Sequence, residues 1–194
     1  MENSIQLNGK IEVKFGWDAY PRQYSGGLIG GLTRKPIDID CDAGLLLCGK
    51  DKKPISGDLS ECYVNYENSR MFENAILHYG DNTTGGDLDD EIIFINLDAL
   101  PAQVESIIFT LDLFKEKKKI GTGKIQNTFV RIVLQDTKEE FGRCDFSNLG
   151  GGTKLVECGM LYRVGTDRWT FQPLKSSYNV KNVGEYVDKV RFRN

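Results

Sequence analysis

The segment Asp81-Asn82-Thr83-Thr84-Gly85-Gly86-Asp87-Leu88-Asp89-Asp90-Glu91 holds five carboxylates in eleven residues and no basic side chain. At the chain-wide frequency of 28 acids in 194 residues, fewer than two would fall there. Like charges packed into a turn repel one another, and a divalent cation relieves that repulsion directly. The donor types select among cations. Calcium takes about six to eight oxygen ligands from carboxylates, amides, carbonyls and water. Asp and Asn supply the first two kinds, and Gly85 with Gly86 lets the backbone turn tightly. Zinc favours Cys or His, and the loop has neither. Magnesium fits the donor atoms but prefers a rigid octahedron that keeps several waters.

A second acidic element, Asp38-Ile39-Asp40-Cys41-Asp42, alternates carboxylates with apolar residues. On a regular strand residues two apart share a face, so all three aspartates are expected to point one way. If this strand lies beside the 81–91 loop, the two elements share one or two ions. A helix-loop-helix calcium loop is ruled out. It needs acids at its first, third and fifth positions, glycine at the sixth and glutamate at the twelfth. A window from Asp38 has Ala43 and Gly49 at the last two, and a window from Asp81 has Thr83 and Gly85 in place of acids. A plain solvated turn is the competing reading of the acidic loop.

Other chemistries find less support. His78 is the only histidine, and no Ser or Cys motif accompanies it, so a hydrogen-bonding structural role is expected. Cys41, Cys48, Cys62, Cys144 and Cys158 form no C-x-x-C pair, which argues against a zinc ribbon or dithiol redox centre and for reduced, partly buried thiols. Gly121-Thr122-Gly123-Lys124 lacks the full phosphate-loop pattern because Ile125 follows the lysine. Gly150-Gly151-Gly152-Thr153 reads as a turn, and Lys117-Lys118-Lys119 as a solvated hairpin tip. Trp17, Trp169 and Phe171 read as packing residues. A net charge of −3 offers no basic surface for nucleic acid. No apolar run approaches the roughly 20 residues of a membrane span, and the N-terminus shows no signal-peptide pattern, so a cytoplasmic location is expected. Two function classes remain: a non-catalytic calcium-dependent interaction module, and a metal-dependent hydrolase of a phosphorylated or nucleotide substrate. The absence of a nucleophile, base and oxyanion-donor set beside the acids favours the module.

The elements that must position these residues are short strands. Apolar alternation between Gly, Asn, Asp and Pro breaks predicts strands over 11–15, 37–47, 61–66, 76–79, 91–96, 106–113, 128–134, 155–162 and 169–174. The intervals are too short for crossover helices, so the expected fold is all-β, an antiparallel β-sandwich with short peripheral helices. Val180, Val183, Val187 and Val190 recur at helical spacing and predict a C-terminal helix capped by Asn179. A helical turn is expected near Pro101. The whole of 1–194 is read as one domain.

The chain also resembles the TerD family of bacterial tellurium-resistance and general stress proteins. Five motifs carry the resemblance in order: Gly16-Trp17-Asp18; Asp38-Ile39-Asp40-Cys41-Asp42-Ala43; His78-Tyr79-Gly80-Asp81-Asn82; Gly86-Asp87-Leu88-Asp89-Asp90-Glu91; and Gly159-Met160-Leu161-Tyr162-Arg163 with Trp169 and Phe171. It implies a calcium-binding β-sandwich linked to tellurite and other chemical stress and to phage defence, with partners among other stress-resistance proteins or at a membrane surface. It implies as calcium ligands Asp38, Asp40, Asp81, Asn82, Asp87, Asp89, Asp90 and Glu91. The chain departs from the family pattern at Asp42, where Ser is usual, at Thr83, often Arg, and at Leu88, usually Gly. Its 20–35 segment is longer than typical.

Overall fold

In a computed structural model, the described residues are 7–18, 40–80, 89–113, 126–146 and 153–193. In chain order they form β1 (Lys10–Asp18), β2 (Asp42–Cys48), α1 (Leu59–Cys62), β3 (Tyr63–Val64), β4 (Arg70–Met71), β5 (Ile76–His78) and β6 (Glu91–Asn96). A 3-10 turn at Leu97–Ala99 leads to β7 (Ser106–Asp112), β8 (Gln126–Leu134), β9 (Glu140–Phe146), β10 (Leu155–Val164), β11 (Arg168–Tyr178) and α2 (Val183–Arg191).

The strands build two sheets, ordered β4-β5-β6-β1-β8-β9 and β11-β10-β7-β2-β3. All the described pairings are antiparallel. The all-β sandwich with peripheral helices, including a C-terminal one, is therefore the observed architecture. The main core lies between the sheets. Ile11, Val13 and Phe15 of β1 and Ile93 and Ile95 of β6 meet Leu45 and Leu47 of β2 and Phe109 of β7 there. Both tryptophans are buried in this core, and the Phe171 ring stacks on Phe109 with centroids 6.2 Å apart.

The burial patterns explain why the strands look different in sequence. In the six-stranded sheet β6 alternates buried and half-buried residues, because its outer face meets solvent. β2 and β7 are buried along their whole length, which matches the near-continuous apolar run Ala43 to Cys48. α2 covers the outer face of the five-stranded sheet: Tyr186, Val187 and Val190 pack on Leu46, Ile108, Leu155 and Met160 in a second cluster. A bulge between Glu157 and Gly159 changes the phase of β10. Before it Val156 and Cys158 face the main core, and after it Leu161 does, while Met160 faces the helix.

Several boundaries differ from the sequence expectation, each for a local reason. Asp58 accepts hydrogen bonds from Ser60 N at 2.9 Å and Ser60 Oγ at 2.8 Å, so a helical turn forms at 59–62, where a strand was expected from 61. A turn does begin at Pro101, where Val104 N donates to Pro101 O at 3.0 Å, and an additional 3-10 turn at Leu97–Ala99 precedes it, ended because the residue before proline is driven extended, as Leu100 is at φ −73°, ψ 135°. The C-terminal helix is capped by Asn182 rather than Asn179. β11 stays paired with β10 through Tyr178, and Asn182 Oδ1 accepts from Glu185 N at 2.9 Å while Glu185 accepts from Lys181 N at 2.9 Å. β2 begins at Asp42, with Asp40 and Cys41 leading into it, so the expected strand face of three aspartates is not present among the described residues. β9 was not anticipated. It is an edge strand of mixed polarity, and its Gly142 leaves room for the Phe171 ring, which a Cβ would approach to 2.7 Å.

Candidate functional site

β6 starts at Glu91 and delivers the C-terminal end of the acidic segment into the end of the sandwich. Backbone pairing sets its position: Glu91 lies opposite Phe15, and Asp90 N donates to Phe15 O at 2.7 Å. The Asp90 carboxylate accepts from Trp17 N at 2.8 Å, so the Gly16-Trp17-Asp18 end of β1 and the Asp89-Asp90-Glu91 segment hold one another.

The Glu91 side chain is fully buried and points between the sheets. Its Oε2 accepts from Ala43 N, 2.8 Å away on the opposite sheet. This contact brings the acidic end of β6 against the acidic start of β2, an adjacency that the sequence left open. His78 lies on the neighbouring strand β5 with Nε2 3.3 Å from Glu91 Oε2, a close contact without an aligned hydrogen bond. His78 Nδ1 accepts from Gly80 N at 3.2 Å, which leaves Nε2 to carry the proton toward Glu91.

The remaining described acids divide into two environments. Asp89 is gripped by Arg131, with Nε at 2.8 Å from Oδ1 and Nη2 at 2.7 Å from Oδ2, and by Lys14 Nζ at 3.3 Å. Burial would raise its carboxyl, but Arg131 and then Lys14 outweigh that and hold it below the ordinary value. Asp90 is pushed up to about 6 by burial first and then by Asp18, Asp89 and Glu91, against the Trp17 hydrogen bond. Cys41 sits amid the negative charge. Burial, then Asp112, Glu91, Asp42 and Asp40, raise its thiol well above the ordinary range. The described end of the sandwich thus gathers Asp40, Asp42, Asp90, Glu91 and Asp112.

Of the expected ligands, Asp40, Asp89, Asp90 and Glu91 are described. Asp38, Asp81, Asn82 and Asp87 lie outside the described residues, as do the glycine-rich 121–124 stretch, the lysine run and the 20–35 segment. Among the described residues no three His, Cys, Asp or Glu side chains make a group able to hold a metal. The donors that are present are hard carboxylate oxygens, which suit calcium or magnesium and not a soft metal. Sequence reading missed Asp112 and Arg131. Both sit inside apolar strand runs, and only strand pairing brings them to this end. All five cysteines are free and buried, and no helix among the described residues is long and apolar enough to cross a membrane.

Comparison with known proteins agrees with this architecture. The chain is 30% identical over 187 residues to stress response protein SCP2 of Bacillus subtilis, covering 93% of this chain and 88% of that protein. It is 34% identical over 166 residues to tellurium resistance protein TerZ of Serratia marcescens, covering 85% and 78%. General stress protein 16U of Bacillus subtilis is 31% identical over 174 residues, covering 87% and 81%. Among solved structures, a homologue of telluride resistance protein TerD from Streptomyces coelicolor superposes with a TM-score of 0.65 at 16% identity, covering 91% of this chain and 94% of that one, and so shares the fold. The TerD domain model matches residues 2–188, and the chain belongs to the TerD domain family of tellurium-resistance and general stress proteins.

Proposed function

We propose that this stress-resistance protein binds calcium at the acidic end of the sandwich and acts without catalysis, as a calcium-dependent interaction module. The observation that carries the reading is the Glu91 to Ala43 contact, which sets the acidic approach to β6 against the acidic start of β2. Asp40 and Asp90 are the described carboxylates that would hold the ion, joined by Asp38, Asp81, Asn82 and Asp87 from the flanking segments. Glu91 braces the two sheets beneath them. Asp89 is already neutralised by Arg131 and Lys14 and contributes chiefly by anchoring the segment to the sheet. A bound cation supplies positive charge that offsets the repulsion among these groups and ties the loop to β2.

A non-catalytic role is supported by the burial of the groups best suited to neutral-pH chemistry. His78 and all five cysteines are buried, and burial raises the Cys41 and Cys158 thiols well above the ordinary range. The loaded end then presents an ordered loop to another stress-resistance protein. Calorimetric titration of calcium into metal-stripped protein, with magnesium as control, tests the proposal. Saturable calcium binding with one or two ions per chain, a higher melting temperature and loss of both in Asp90→Ala are expected. No binding at millimolar calcium would overturn it.

A further inference from the structure

β2 and β7 are antiparallel, so the end of the five-stranded sheet remote from Asp42 pairs Cys48 with Ser106, and Ser106 pairs in turn with Tyr162 of β10. Ile107 faces the main core and Ile108 the helix-covered cluster, so strand alternation turns Ser106 to the outer face with Ile108. There Ser106 lines a cavity of about 320 Å³. The residue is 2% exposed, and its hydroxyl has no hydrogen-bond partner among the described residues. A buried hydroxyl in that state is costly, and an alanine at the same strand position would avoid the cost. The charges around it are basic on balance. Lys50 and Lys52 line the cavity from an exposed turn, closed by Gly49 N donating to Lys53 O at 2.9 Å and Lys52 N to Gly49 O at 3.0 Å. Arg163 is held rigidly beside them. Its guanidinium donates to the backbone carbonyls of Val104, Thr166 and Pro101, at 3.2, 2.7 and 3.4 Å, and lies 4.6 Å from the centre of the Trp169 ring. These contacts fix its position and leave its charge without a carboxylate partner among the described residues. Glu105 is the one carboxylate among the described lining residues.

We propose that this cavity binds a small phosphate monoester with a hydroxylated body, its phosphoryl group taking the Ser106 hydroxyl and the charges of Lys50, Lys52 and Arg163. Lysines serve a phosphoryl dianion as point charges, arginine offers it directed N–H groups, and a buried hydroxyl adds one directional donor in a drier setting. Glu105 repels the phosphoryl group but accepts hydrogen bonds from hydroxyls. A ligand anionic at one end and hydroxylated at the other therefore answers the whole lining, with Gln172 beside Glu105 and the Tyr162 ring against the carbon skeleton. The volume stands at the lower end of the range for ligand cavities and suits a sugar phosphate. Sequence reading passed over Ser106 because it opens an apolar strand run, and strand pairing alone sets it between the 49–53 turn and Tyr162. The site is independent of the calcium reading: Cys48 is six residues along β2 from Asp42, about 20 Å at strand spacing.

The test is an NMR titration of the full chain with glucose 6-phosphate in calcium-free buffer. Glucose is the neutral control, inorganic phosphate the anion without a body, and gluconate a similar body with a carboxylate. Saturable shifts centred on Gly49, Ser106, Tyr162 and Gln172 are expected from the ester, none from glucose, and weaker binding from the other two anions. Ser106→Ala should weaken ester binding about tenfold. It should leave the melting temperature of the ligand-free chain unchanged or higher, because the hydroxyl it removes has no partner to lose. Lys50→Gln combined with Lys52→Gln, both on the exposed turn, should weaken binding about tenfold and flatten its dependence on salt. Ester affinity unchanged in both variants, or shifts that spread over other surface lysines without saturating, would overturn the proposal. So would phosphate or gluconate binding as tightly as the ester, or a phosphoserine peptide binding where the ester does not.

Discussion

Asp90 and Glu91 are neighbours in sequence with opposite consequences for stability. The folded Asp90 carboxyl lies near 6, above its ordinary 3.8, so the native state binds this proton more tightly than the unfolded chain does. Its contribution to stability is therefore fullest below about pH 4, falls as pH rises to about 6, and is flat above. Discounted for partial exposure, ionised Asp90 costs about 1–2 kcal/mol near neutrality without metal. Asp90→Asn should accordingly raise the melting temperature of metal-stripped protein at pH 7 and lose that advantage below pH 4, read by thermal denaturation across pH. It should also weaken calcium binding, since the same substitution removes a donor charge. Glu91 behaves otherwise, because Ala43 N and His78 both depend on it. Glu91→Ala leaves two buried polar groups without their partner and should lower stability by about 3 kcal/mol in urea denaturation. The carboxylates themselves were plain in the sequence. Their division into ion-paired Asp89, raised Asp90 and sheet-bridging Glu91 was not, because Arg131 and Trp17 reach them only through strand pairing and Ala43 only through the packing of one sheet on the other.

At the scale of elements, the C-terminal helix and the tight approach of Tyr63 to β2 are the sensitive points. Tyr186 is fully buried on the outer face of the five-stranded sheet, with its hydroxyl donating to the buried Glu157 at 3.0 Å. Tyr186→Ala should cost about 3–5 kcal/mol and expose apolar surface that binds a hydrophobic dye. Gly44→Ala drives a methyl into Tyr63 Oη and Cζ, at 2.1 and 2.5 Å, and should cost about 2–3 kcal/mol. Adding Tyr63→Phe should recover only part of that loss, because the ring carbon remains in the way; chemical denaturation of the three variants measures it. The strand elements were largely legible, since alternation in β1 and β6 and the continuous apolar run in β2 report burial on one face or two. The helical turn at 59–62, the edge strand β9 and the cap at Asn182 were less so. Capping side chains and sheet partners decide such boundaries, and local apolar pattern carries little of that information.

At the scale of the whole molecule, the proposed calcium site would link binding to folding, because a ligand that binds only the native state adds to its stability. At a hundredfold excess of calcium over its dissociation constant, the increment should be about 2.7 kcal/mol. Chelation should therefore lower the melting temperature of the wild-type chain and leave Asp90→Ala nearly unmoved, which calorimetric scans with and without chelator would show. The sequence by itself determined the fold class, the oxygen-donor character of the acidic segments and the family, because alternation, composition and ordered motifs are local properties of the chain. Tertiary structure alone decided that Glu91 would cross to Ala43, that Arg131 would neutralise Asp89, and that Asp42 and Asp112 would face one another under α2. Each of these contacts joins residues 40 or more positions apart, and only sheet pairing and sandwich packing set their separation in space.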